Sequence, residues 1–113
     1  MNKTLIILLA LSANLVAEEI PTLDKVIAII NSDAPEIQHI DLLKAVSQLI
    51  QSDQTSRING IRITMSETKV KTITDTQFCA KHVISSSSKP QTFYYVFEIK
   101  DKKLYAVKAF ELP

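Results

Sequence analysis

Residues 91–112 constrain the fold of this chain more than any other stretch. Two alternating runs, Phe93 to Ile99 and Leu104 to Phe110, flank the charged residues Lys100, Asp101, Lys102 and Lys103. Nearly every aromatic residue lies here, and only Phe78 lies elsewhere. Alternation of large apolar and polar residues about a short polar connection predicts a β-hairpin. A loop of odd length, around 100–102 or 101–103, would place Phe93, Tyr95, Phe97 and Ile99 on one face with Tyr105, Val107 and Ala109. The opposite face would then hold Glu98, Lys100 and Lys108, with Tyr94, Val96, Leu104, Ala106 and Phe110 less tidily among them. An even loop would bring Lys108 to the first set, because a one-residue slip exchanges the faces. The odd loop is the expectation, since it gathers the charges on one side.

The chain before this hairpin changes period partway along. Pro21 stops regular structure at Ile20, and Thr22 can cap a helix on which Leu23, Val26, Ile27 and Ile30 form one stripe, ending at Asn31-Ser32. Asp33, Pro35 and Glu36 have the spacing of a capping box with proline in the first turn, so a second helix is predicted from Asp33 to about Gln51. Its apolar side gathers Leu42, Leu43, Val46, Leu49 and Ile50. From Arg57 the period becomes two. Ile61, Ile63 and Met65 predict a strand, Ser66-Glu67-Thr68 a turn, and 69–74 an edge strand or one half of a long bent strand with its bend at Asp75-Thr76. Residues 77–85 alternate clearly, with Phe78, Ala80, His82 and Ile84 on one side and Cys79, Lys81 and Val83 on the other. A serine-rich loop at 85–88 precedes the hairpin.

The first 17 residues read as a secretory signal. Lys3 gives a basic start, residues 5–11 an unbroken apolar core, and Ala17 precedes Glu18-Glu19, so cleavage between Ala17 and Glu18 is expected. The apolar run 5–17 is shorter than the roughly 20 residues of a membrane-spanning helix, which disfavours an uncleaved anchor. Residues 18–113 then form a single small domain, exported to the periplasm or secreted through a bacterial-type route, with no stable transmembrane span after cleavage. Its charge is divided. Residues 18–53 hold seven acidic and two basic side chains, and residues 54–113 hold five acidic and ten basic, or about −5 and +5.

Two helices followed by four or five strands predict an α+β domain: both N-terminal helices packed on one face of a curved, four- to five-stranded antiparallel meander. In outline this resembles cystatin-like and NTF2-like domains. The likeness is one of architecture and implies no activity.

Chemistry is sparse. His39 and His82 could act as general acid and base in a cavity between helix and sheet, although an imidazole bonded to backbone accounts for each more simply. Cys79 is the only cysteine, so it is either a buried apolar residue or the link of a disulfide dimer. Neither a metal-ligand spacing nor a glycine-rich phosphate loop is present, and a single glycine excludes the latter. No cofactor, metal or nucleic acid is implied. What remains is a surface: Lys100, Lys102, Lys103 and Lys108, with Tyr94 and Phe110 nearby, make the hairpin tip and outer face basic and aromatic. That suits a partner interface, while lysines guarding a strand edge account for the same pattern. The leading expectation is a small exported protein without catalytic activity that binds a protein or another envelope macromolecule. The alternative is a carrier or enzyme whose cavity between the second helix and the sheet is lined by His39, Tyr95 and Tyr105.

Overall fold

The computed structural model describes residues 19–57, 65–85 and 90–112. The expected signal segment, the strand start at 61–64 and the serine-rich loop at 86–88 lie outside these residues. Helices α1 (Leu23–Ile30) and α2 (Ile40–Arg57) precede strands β1 (Met65–Thr72), β2 (Gln77–Ser85), β3 (Pro90–Lys100) and β4 (Lys103–Leu112). The strands form one antiparallel sheet in the order β1-β2-β3-β4. The class is α+β. Neither described helix is long and apolar enough to cross a membrane.

The helices do not share a face. α2 buries Val46 and Ile50 against Phe78, Ala80, Ile84, Phe93, Tyr95, Phe97 and Ala106. α1 buries Val26 and Ile30 against Cys79, Tyr94 and Val96. Neighbouring strand residues point to opposite sides, so these two clusters lie on opposite faces. The expectation of both helices on one face is therefore corrected to three layers with the sheet in the middle, and the outline likeness to cystatin-like and NTF2-like domains goes with it. The physical reason is visible in β3, where Phe93 to Phe97 are all large and apolar. A strand with no polar side must be covered twice.

α1 begins where its residues predict. Thr22 is extended (φ −77°, ψ 167°), and its Oγ1 accepts the Lys25 N–H at 3.3 Å. α2 does not. The capping signal at Asp33 is overridden because the chain after it is drawn to the sheet edge: Ile37 N–H donates to Val70 O at 3.2 Å and Thr72 N–H to Pro35 O at 2.9 Å. These bonds frame an isolated antiparallel bridge between Glu36 and Lys71. Lys71, only 6 % exposed, reaches under this strap to donate to Ser32 O at 2.9 Å and Ala34 O at 3.0 Å. The helix starts only after His39 and continues past the expected end at Gln51 to Arg57.

Two further expectations fail on the strands. Ser66-Glu67-Thr68 is no turn but the exposed first half of β1, paired with Ile84, Val83 and His82. The β3–β4 loop is even: Asp101 and Lys102 turn with φ of 54° and 65°, and Lys100 pairs with Lys103. Both positive angles are the mark of a type I′ hairpin turn. Leu104 and Ala106 therefore join Ile99 and Phe97 on the α2 face, where Tyr105 and Val107 were expected. A β-bulge then inserts one residue, so that Phe97 pairs with Ala106 but Val96 pairs with Lys108. Beyond it Ala109 faces Tyr95 on the α2 side, as the odd loop would have arranged, and Lys108 stays exposed.

Candidate functional site

The hairpin tip is the first candidate. Lys102 and Lys103 are exposed, while Lys100 is half-buried. Further along β4, Lys108 Nζ lies 5.5 Å from the centre of the Phe110 ring, a cation–π contact on the α1 side. Tyr94 does not belong to this surface. It is 6 % exposed and packs in the α1 cluster, so its expected part in partner contact is withdrawn. Beside the tip, a shallow depression of about 380 Å³ is lined by Ala45, Gln48, Leu49 and Ser52 of α2 with Lys103 and Leu104 of β4.

The residues expected to line a common cavity are held apart. His39 is exposed, and its Nδ1 accepts the Leu42 N–H at 3.4 Å, so it is the cap of α2. Tyr105 pairs with Glu98 on the α1 side of the sheet. Tyr95 is buried on the α2 side, where its hydroxyl donates to Asp53 Oδ2 at 2.7 Å and accepts from Gln54 Nε2 at 2.8 Å. Burial and the neighbouring Asp53 carboxylate hold the Tyr95 phenol well above its ordinary pKa, so it remains a proton donor.

That tyrosine belongs to a polar tie between α2 and the far end of the hairpin. Arg57 donates from Nε to Asp53 Oδ2 at 2.6 Å and from an Nη to Glu111 Oε1 at 3.2 Å, and its guanidinium lies 5.6 Å from the Phe93 ring centre. Gln91 adds a 3.4 Å bond to Glu111 Oε2. Partial burial works against the Arg57 charge, but the Asp53 hydrogen bond and the nearby carboxylates outweigh it and raise its pKa. The Asp53–Arg57 pair has i,i+4 spacing but lies beyond Gln51, the expected helix end, so that spacing signals a tie only on the longer helix.

A groove of about 410 Å³ adjoins this tie, between the C-terminal half of α2 and the uncovered ends of β1 and β2. Ile50 and Ile84 give it an apolar side, and Ser47, Gln51, Ser66 and Thr68 a polar one. His82, 9 % exposed, also lines it and shares a 2.8 Å hydrogen bond between Nδ1 and Thr68 Oγ1. Burial lowers the His82 pKa, so the ring is neutral near pH 7. Gln54 Oε1 is buried beside the groove without a hydrogen-bond partner among the described residues.

Cys79 is fully buried beneath α1, and burial pushes its thiol up to about 11. A thiol so placed packs as a small apolar residue and has little thiolate to react with. His82 points to the other face, so the two form no nucleophile–base pair. Among the described residues no group of three or more His, Cys, Asp or Glu side chains is arranged to hold a metal. No known protein family, curated protein or solved structure significantly matches this chain.

Proposed function

We propose that this protein works by binding another protein in the cell envelope, without catalysis, and that the β3–β4 tip is a contact point. The observation that supports this reading is the backbone of the turn. Asp101 and Lys102 both adopt positive φ with no glycine present. Each such residue costs on the order of 1 kcal/mol. Glycine would relieve that cost, yet a lysine stands at φ 65° and projects its charge from a rigid hairpin. Exposed Lys103 extends the charge to the rim of the apolar depression on α2, so the surface suits an acidic partner that also presents an apolar side chain.

The test exploits the same strain. Lys102→Gly should raise stability by about 1 kcal/mol in urea unfolding, because the left-handed conformation no longer costs. It should at the same time weaken retention of the partner that the wild-type domain captures from an envelope extract. Lys102→Glu with Lys103→Glu should abolish that retention. If both variants retain the same partner as well as the wild type, the tip has no part in binding.

A further inference from the structure

The two edges of the sheet are not alike. β4 carries a bulge and the exposed lysines Lys103 and Lys108, devices that discourage the addition of another strand. β1 carries no bulge, and half of its edge is already in use. The strap around Glu36 pairs with it antiparallel, and its bonds to Val70 O and Thr72 N show which backbone groups point outwards. By the two-residue period of a strand, the N–H and C=O groups of Thr68 and Ser66 point the same way. No described segment pairs with them, because the last bond of the strap to this edge is that of Ile37 N–H to Val70 O, before the chain turns into α2. All five residues from Met65 to Lys69 are exposed.

From this edge we infer that β1 receives an extended segment of the partner protein, added antiparallel in the register that the strap begins. This deepens the reading of the protein as a binding module and names the form its partner takes there. The neighbouring side chains specify that form. A residue opposite Thr68 shares its face and lies at the mouth of the 410 Å³ groove, against Ile50, Ile84 and His82. Ile50 and Ile84 give the groove an apolar side and Ser47, Gln51 and Thr68 a polar one, so a side chain with an apolar body and a polar tip fits best. Tyrosine has that chemistry.

The other face sets the charges. Lys69 stands directly opposite Lys81, and neither makes an ion pair among the described residues. Like charges directly opposite repel, so an acidic residue of the incoming strand opposite Lys69 removes the repulsion. Glu67, two residues away on that face, selects a basic one. An antiparallel strand meets Lys69, then Thr68, then Glu67. The preferred core of the partner segment is therefore acidic residue, tyrosine, basic residue, in that order from its N-terminus.

The probe is a blocked peptide, Glu-Tyr-Lys-Val-Thr, which starts opposite Lys69 just beyond the strap, titrated into the isotope-labelled full-length protein. Binding should shift the Ser66 and Thr68 amide signals and slow their hydrogen exchange. The peptide with Glu and Lys interchanged should bind on the order of tenfold more weakly, as two attractive cross-strand pairs become repulsive. In the doubly reversed variant, Glu67→Lys with Lys69→Glu, that preference should invert. Both residues are exposed, so circular dichroism should show the fold intact. Ser47→Phe, which fills the groove from α2, should weaken the tyrosine peptide but not one with alanine in its place. Equal binding of both peptides by both proteins, or amide shifts confined to β4, would overturn the inference. Continued capture through Lys102 and Lys103 in that event would leave the broader binding function standing.

Discussion

On one face of the sheet α2 lays Val46, Ile50 and Gln54 across Phe93, Tyr95 and Phe97; on the other, α1 sets only Val26 and Ile30 against Cys79, Tyr94 and Val96. The α2 face is held by ring burial, by the stacked Tyr95–Phe97 pair at 5.9 Å, and by the Asp53–Tyr95–Gln54–Arg57 tie. The α1 face relies on a helix of eight residues, too short to be stable alone, and on the Lys71 side chain that gathers Ser32 and Ala34 behind it. A sheet covered twice thus has two unequal covers. One layer is anchored by directional polar bonds, and the other is mainly a hydrophobic lid.

Phe97→Ala should cost about 3–5 kcal/mol in global stability by urea titration, whereas Ile30→Ala should cost about 2–3 kcal/mol and do so locally. Amides of α1 should then exchange faster while those of β3 remain protected. Equal acceleration in both layers would show them to be one cooperative unit. Next in size, Tyr95→Phe should cost about 1–3 kcal/mol, since it strips a hydrogen bond from Gln54 and from Asp53 while keeping the ring. A neutral result would mean that the tie adds nothing to the apolar contact. The smallest effect concerns His82. Its folded pKa lies below the ordinary value of 6.5, so the unfolded chain binds the proton more readily. Stability contributed by the neutral ring is complete above pH 6.5 and falls as the pH drops through 6.5 towards the folded value. His82→Gln should flatten the stability curve where the pH falls below 6.5; an unchanged slope would place the pH dependence on the carboxylates.

Most element types were legible, because hydrophobic period survives tertiary context. Val26 and Ile30, Val46 and Ile50, and the alternation from Phe78 to Ile84 all lie where the pattern puts them. What escaped was decided by competition between distant segments. Asp33 and Glu36 make a sound local cap, but the β1 edge offered their backbone better partners. Ser66-Glu67-Thr68 looked like a turn because neither helix covers those positions, and an uncovered strand has no apolar alternation to display. The unbroken apolar run from Phe93 to Phe97 signals a second covering layer, whereas strict alternation would signal only one. The basic tip at Lys102 and Lys103 was legible as composition, whereas the pairing of Gln54 and Thr68 around one groove joins residues from α2 and β1 that no local spacing connects.

The bulge after Ala106 gives β4 slack. With an even turn and no extra residue, Lys108 would stand opposite Tyr95 beneath α2. The spare position moves it out and brings Ala109 in. Loss of one residue between the turn and the bulge would be taken up by straightening the strand, leaving the Val96–Lys108 pair and everything beyond it in place. The hairpin thus separates two choices that are usually locked together, the shape of its tip and the packing of its far end. By this register, a strand shorter by one residue before the bulge would still present Glu111 to Arg57.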